Sequence, residues 1–330
     1  MPEIQPAKGR PATIDVTIEA PGAGANSGPS SGPDSGPDSG AGAVLQGRLF
    51  SPPAAPRLAV VIHPATGISQ TYYAKFAAWL ADSRQAAVLT YDYRDLGASA
   101  QGPVKASRAS MSDWGVHDQS AALDFLCARH PELPVWVVGH SLGGLCVPWH
   151  AQARRIERLI TVAAGPAHFT RHPLGFLPMV LWFWYLGGPL LTKLYGYLPG
   201  KLGGLGMDLP AGVFWQWRRW CTTRRFNRPD WGVAMPEPDL TSVTAEMSLI
   251  AISDDVMITP DCVRLLADFY PAARISYQEI TPQSIGVDEI GHLRVFSERC
   301  RAAWPMLIGE NGPIDGIEDA CSEAGKATLT

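Results

Sequence analysis

Near the start of the chain, ATIDVTIEA (12–20) and AVLQGRLF (43–50) alternate apolar and polar residues at period two, the pattern of half-buried strands. Between them, residues 21–42 repeat SGPD twice and are half Gly or Pro, with no apolar face to bury. The pattern predicts a hairpin with an expanded, flexible loop, because closure entropy grows slowly with loop length. From residue 58 the pattern changes to short, mainly apolar runs, LAVVI (58–62), AAVLTY (86–91), VWVV (135–138), RLITVAA (158–164) and SLIAI (248–252), with a further strand expected over the more polar ARISYQEI (273–280). Segments of helical period lie between them. One over 72–83 carries Phe76, Ala77, Trp79 and Leu80, and one over 113–130 has Ser112 as its expected cap. Others are expected over 143–153, after Thr259 with Pro260 at the first position, and over 295–308 with a bend at Pro305. Buried strands alternating with helices predict an α/β fold, a mostly parallel sheet with helices on both faces.

The alternation breaks at Gly165 and resumes near residue 241. The expected organisation is a flexible start (1–11), a core made of 12–164 and 241–310, an insertion over 165–240 and a flexible polar tail (311–330). Six of the eleven tryptophans fall in that insertion. At 330 residues and 46% hydrophobic, the chain can bury a large core, and a net charge of −4 gives no footprint for nucleic acid. The six cysteines form no Cys-x-x-Cys pair, so neither a zinc site nor a disulfide framework is expected, and no metal or other cofactor is implied. The first twenty residues lack the charged start and apolar core of a secretory signal, and the expected location is cytoplasmic.

The candidate chemistry centres on Gly139-His140-Ser141-Leu142-Gly143. The pattern G-x-S-x-G is weak alone, but here it joins an apolar strand to an expected helix, the strand–turn–helix setting of a nucleophile elbow. A serine hydroxyl needs an adjacent base, and that base needs an acid to fix its tautomer. Asp254 and Asp255 follow the buried strand 248–252, with Asp255 preferred as the acid and the other free to cap the next turn. His292 lies in a loop ahead of the last helical segment and follows the acid. The oxyanion requires fixed N–H donors. Leu142, after the serine, is one; in the loop His63-Pro64-Ala65-Thr66-Gly67, Pro64 has no N–H, which leaves Ala65 as the other.

These segments resemble the α/β-hydrolase fold over roughly residues 45–310, and more narrowly its serine-aminopeptidase-like and monoacylglycerol-lipase-like branch. The resemblance rests on VVIHPATGISQTYYAKFAAWLA, TYDYRDLGAS, VVGHSLGG, AISDDVMITP and IGHLRVF. It implies an eight-stranded sheet with an antiparallel first pair and a cap inserted after the sixth strand. It also implies Ser141 as nucleophile, Asp255 as acid, His292 as base, and Ala65 and Leu142 as oxyanion donors. One departure stands out: Asp95 occupies a position where relatives carry glycine, and aspartate tolerates the left-handed geometry of such a turn.

The insertion carries the substrate information. LGFLPMVLWFWYLGGPLL (174–191) is uncharged but interrupted by Pro178, Gly187, Gly188 and Pro189, which favours apolar cap helices, with possible contact at an interface, over a membrane span. Apolar walls suit an acyl chain. The expected activity is hydrolysis of a carboxylic ester or thioester of a small to medium apolar acyl group. Transfer to another acceptor, peptidase activity of the serine-aminopeptidase kind and a silent binding module are the rivals.

Overall fold

The computed structural model describes residues 11–22, 42–203 and 205–309. The expected flexible start, nearly all of the low-complexity loop, the polar tail and Cys321 therefore lie outside the described residues. Ten strands occur within them: β1 (Ala12–Ala20), β2 (Ala43–Ser51), β3 (Leu58–His63), β4 (Ala86–Tyr91), β5 (Val135–His140), β6 (Ile156–Val162), β7 (Tyr197–Leu198), β8 (Leu209–Pro210), β9 (Glu246–Ile252) and β10 (Arg274–Ile280). Eight make one sheet in the order β1-β2-β4-β3-β5-β6-β9-β10; β1 and β4 both pair antiparallel with β2, and all other pairs are parallel. This is the eight-stranded, mostly parallel sheet of the α/β-hydrolase fold.

Every residue of β3 and β4 is buried, which is why those strands read as continuous apolar runs. Their side chains alternate between two cores. Val61, Leu89 and Val137 face α2 (Gln119–Arg129) through Leu123 and Leu126. Val60, Val88 and Val138 face α1 (Ala74–Arg84) through Phe76 and Leu80, together with Trp304 near the end of the described chain. Between β6 and β9 the chain leaves the sheet to form α3 (Leu177–Trp182), a π turn (Phe183–Gly187), α4 (Gly188–Tyr195), the β7–β8 pair and α5 (Ala211–Cys221). Two short helices, α6 (Pro260–Arg264) and α7 (Trp304–Leu307), follow.

Three local expectations fail, each for a readable reason. No regular helix forms over 143–153. Gly143 and Gly144 weaken helix there, and Pro148 removes a donor and crowds the preceding turn, leaving only 3-10 turns. The last helical segment is likewise 3-10 turns, and Pro305 opens the short α7 instead of bending a long helix. Ser112 is not the cap of its helix, because the helix begins one residue earlier, at Met111. The Ser110 hydroxyl accepts from the Asp113 N–H (3.2 Å) while the Asp113 carboxylate accepts from the Ser110 N–H (2.8 Å), a reciprocal capping pair. Asp95 does adopt the left-handed conformation, with φ +59°.

Candidate active site

At the end of β5 the chain must reverse in one residue. Ser141 does so at φ +54°, and the turn leaves no room for side chains beside it. A Cβ on Gly139 would sit 2.4 Å from the Gly143 carbonyl oxygen, and one on Gly143 would sit 2.1 Å from that of His63. Glycine at both places is therefore a packing requirement of the turn that presents Ser141.

The structure brings Ser141, His292 and Asp255 together from three separate loops. His292 Nε2 lies 3.1 Å from Ser141 Oγ, and His292 Nδ1 lies 2.7 Å from Asp255 Oδ2. An ionised carboxylate only accepts, so Nδ1 carries the ring proton and Nε2 is left to accept from the serine hydroxyl. Asp255 is buried, and its other oxygen accepts the N–H groups of Met257 (2.8 Å) and Ile258 (2.9 Å). The neighbouring aspartate does not cap that turn, as the alternative expected. Asp254 instead accepts from the backbone N–H groups of Ile290 (2.9 Å) and Gly291 (3.0 Å), just ahead of the histidine. One aspartate orients the imidazole ring and the other holds the loop that carries it.

A second arrangement beneath the site was not legible in the sequence. The Tyr73 hydroxyl lies 2.8 Å from His140 Nδ1, and His140 Nε2 lies 3.0 Å from the His292 carbonyl oxygen, to which it donates. Burial first, and then the neighbouring His292, lowers the His140 pKa to about 3, so the ring is neutral and has one proton to give. Tyr73 therefore donates to Nδ1. No motif marks Tyr73; the only signal was its place early in the segment after the His63–Gly67 loop.

This arrangement corrects one expected donor. The Ala65 N–H donates to the Tyr73 hydroxyl at 2.9 Å, so it is already engaged, and Ala65 is buried and does not line the cavity at Ser141. The amides of Leu142 and Thr66 meet no acceptor among the described residues, and both residues line the cavity at Ser141. That cavity is about 30 Å³, walled by Met111, Leu145, Trp217, Trp220, Phe226 and Ile258. Its walls are apolar, as expected, but it holds a group about the size of a water and is not a channel. A larger groove of about 950 Å³ between β1 and α2 shares no lining residue with it. Cys127, Cys146, Cys221, Cys262 and Cys300 are free and buried.

Residues 54–200 match a family model, Hydrolase_4, described as serine aminopeptidase, S33. The matched span includes Ser141 and ends before Asp255 and His292. Among solved structures, the chain is similar to an esterase from Pyrococcus furiosus (TM-score 0.53, 14% identity, covering 91% of this chain and 90% of the other). It is also similar to Rv0554 from Mycobacterium tuberculosis (0.51, 16%, covering 89% and 97%) and to the peroxisomal α/β-hydrolase Lpx1 from Saccharomyces cerevisiae (0.51, 13%, covering 94% and 92%). At these identities the likeness concerns the fold. No curated protein sequence matches the chain. The sheet order and these likenesses give the protein the α/β-hydrolase fold. The match to the Hydrolase_4, serine aminopeptidase S33, model is confined to residues 54–200, less than half of the chain.

Proposed function

We propose that the protein hydrolyses carboxylic esters of small acyl groups through an acyl-enzyme on Ser141. The observation that carries this reading is the unbroken hydrogen-bond chain from Ser141 Oγ through His292 to Asp255. In the proposed reaction, Ser141 Oγ attacks the ester carbonyl carbon while His292 Nε2 takes the hydroxyl proton. Asp255 stabilises the imidazolium that forms. The negative charge on the carbonyl oxygen is received by the amides of Leu142 and Thr66. Collapse expels the alcohol, which takes the proton from His292, and a water activated by the same ring releases the acid.

Residues 165–240 act in this reading as a cap. Trp217, Trp220 and Phe226 close the acyl side of the site and set its length, and the outer face of residues 177–195 makes contact with an apolar interface. The expected outcome is covalent labelling by a fluorophosphonate that Ser141→Ala abolishes, and faster turnover of p-nitrophenyl acetate than of the octanoate. A wild-type protein that never labels removes the acyl-enzyme, and an octanoate preference removes the small-acyl assignment.

A further inference from the structure

The helical run over 177–195 is apolar on almost every side, with Lys193 its one charge, yet only one side is covered. Val180, Trp184, Gly188 and Thr192 are buried, with the Trp184 ring 4.9 Å from that of Trp217 and stacked 6.2 Å from that of Phe214. On the other side Met179, Trp182, Tyr185, Leu186, Leu190 and Leu194 face solvent, with Leu186 and Leu190 59% exposed and Leu194 72%. A helix that is apolar all round is ordinarily enclosed, and a contiguous exposed apolar face marks an interaction surface. The run is also locally fixed. Pro189 cannot donate, the Gly188 N–H turns back to the Phe183 carbonyl, and the freed Trp184 carbonyl accepts from Arg218 Nε at 2.5 Å.

Charge identifies what the face meets. Residues 165–207 contain no acidic residue. Over 165–240 there are eight Lys or Arg against four acids, a net +4 on a chain whose total is −4, leaving −8 elsewhere. Three of the four acids are engaged: Asp230 with Arg219 at 2.6 Å, Asp239 with Arg154 at 2.8 Å, and Asp208 with the Gly200 N–H. The cations border the apolar row. Lys193 is exposed on the helix beside Leu194, and the Arg218 guanidinium lies 5.3 Å from the Tyr185 ring centre. Arg171 is exposed two residues beyond Phe169, whose ring packs on Tyr185.

We propose that this face docks on an anionic lipid surface, with Trp182, Leu186, Leu190 and Leu194 in the interfacial layer and Lys193, Arg171 and Arg218 against the headgroup phosphates. No helix among the described residues is long and apolar enough to cross a membrane, so the docking is peripheral. A twofold self-contact would set this cationic rim against its own copy, which like charges oppose. The docking rests on the interfacial part of the proposed function and not on the chemistry at Ser141.

The test is co-sedimentation of the full chain with vesicles of phosphatidylcholine alone or mixed with phosphatidylglycerol. Binding to the mixed vesicles, weakened by salt, is expected. Leu186→Glu with Leu194→Glu should abolish it, and removal of Lys193 or Arg171 should each weaken it about fivefold. An unchanged melting temperature shows that these variants fold. Ser141→Ala should bind as the wild type does, which separates the docking from the esterase reading. Absence of binding, equal binding to both vesicles, or lipid-free self-association that the Glu variants abolish in place of vesicle binding would each overturn the proposal.

Discussion

The turn at Ser141 and the segment that covers it obey different rules. At the turn, each backbone position is constrained from several sides: glycine by contact with neighbouring backbone, His292 by two aspartates and by His140. In the covering segment the helices are held on one face, and the other remains in solvent. The first region tolerates few residue types, which makes it readable as a motif. The second is satisfied by almost any apolar residue, so its sequence says that it packs and little about where.

The sharpest way to break this comparison is at the aspartates. Asp255→Asn should lower kcat about 10⁴-fold by reversing the preferred tautomer of His292. Asp254→Asn keeps one acceptor for the loop backbone and should cost about tenfold. Equal losses in ester turnover would mean that the two residues do not divide the work as their contacts indicate.

Glycine substitutions come next. Gly143→Ala drives a Cβ into the His63 backbone and should cost about 3 kcal/mol in urea unfolding. Gly175, in the covering segment, has open space around it, and Gly175→Ala should stay within about 0.5 kcal/mol. A comparable loss at both positions would erase the contrast.

Acid titration gives the smallest effect. His63, His140 and His150 lie buried at and beneath the site, and burial lowers the pKa of all three, to about 3 for His140 and about 4 for His150. The unfolded chain therefore binds protons that the folded one refuses, so stability is full above roughly pH 6.5 and declines as pH falls toward 4. His150→Gln should flatten the decline of unfolding free energy by at most about 1.4 kcal/mol per pH unit. An unchanged slope would remove His150 from this account.

Much of the fold was legible because strands buried on both faces announce themselves: β3 and β4 lie where LAVVI and AAVLTY predicted them. The serine turn was legible because its glycines answer to contacts within one short loop. What the sequence concealed depended on distant neighbours. Ala65 looked free because Pro64 beside it has no N–H, while its actual acceptor, Tyr73, sits in the next segment. Asp254 looked like a local cap, although its partners are at Ile290 and Gly291. The helix expected over 143–153 failed because its apolar spacing was outweighed by two glycines and Pro148.

Tyr73 joins two loops that no motif connects. Its hydroxyl receives the Ala65 N–H and gives its own proton to His140, which holds the His292 carbonyl. The backbone around Ala65 and the backbone carrying His292 thus share one buried strut. Neither loop can drift without tugging the other, so the spacing between the loop at Ala65 and the loop at His292 behaves as a single dimension of the protein, set before any ligand arrives.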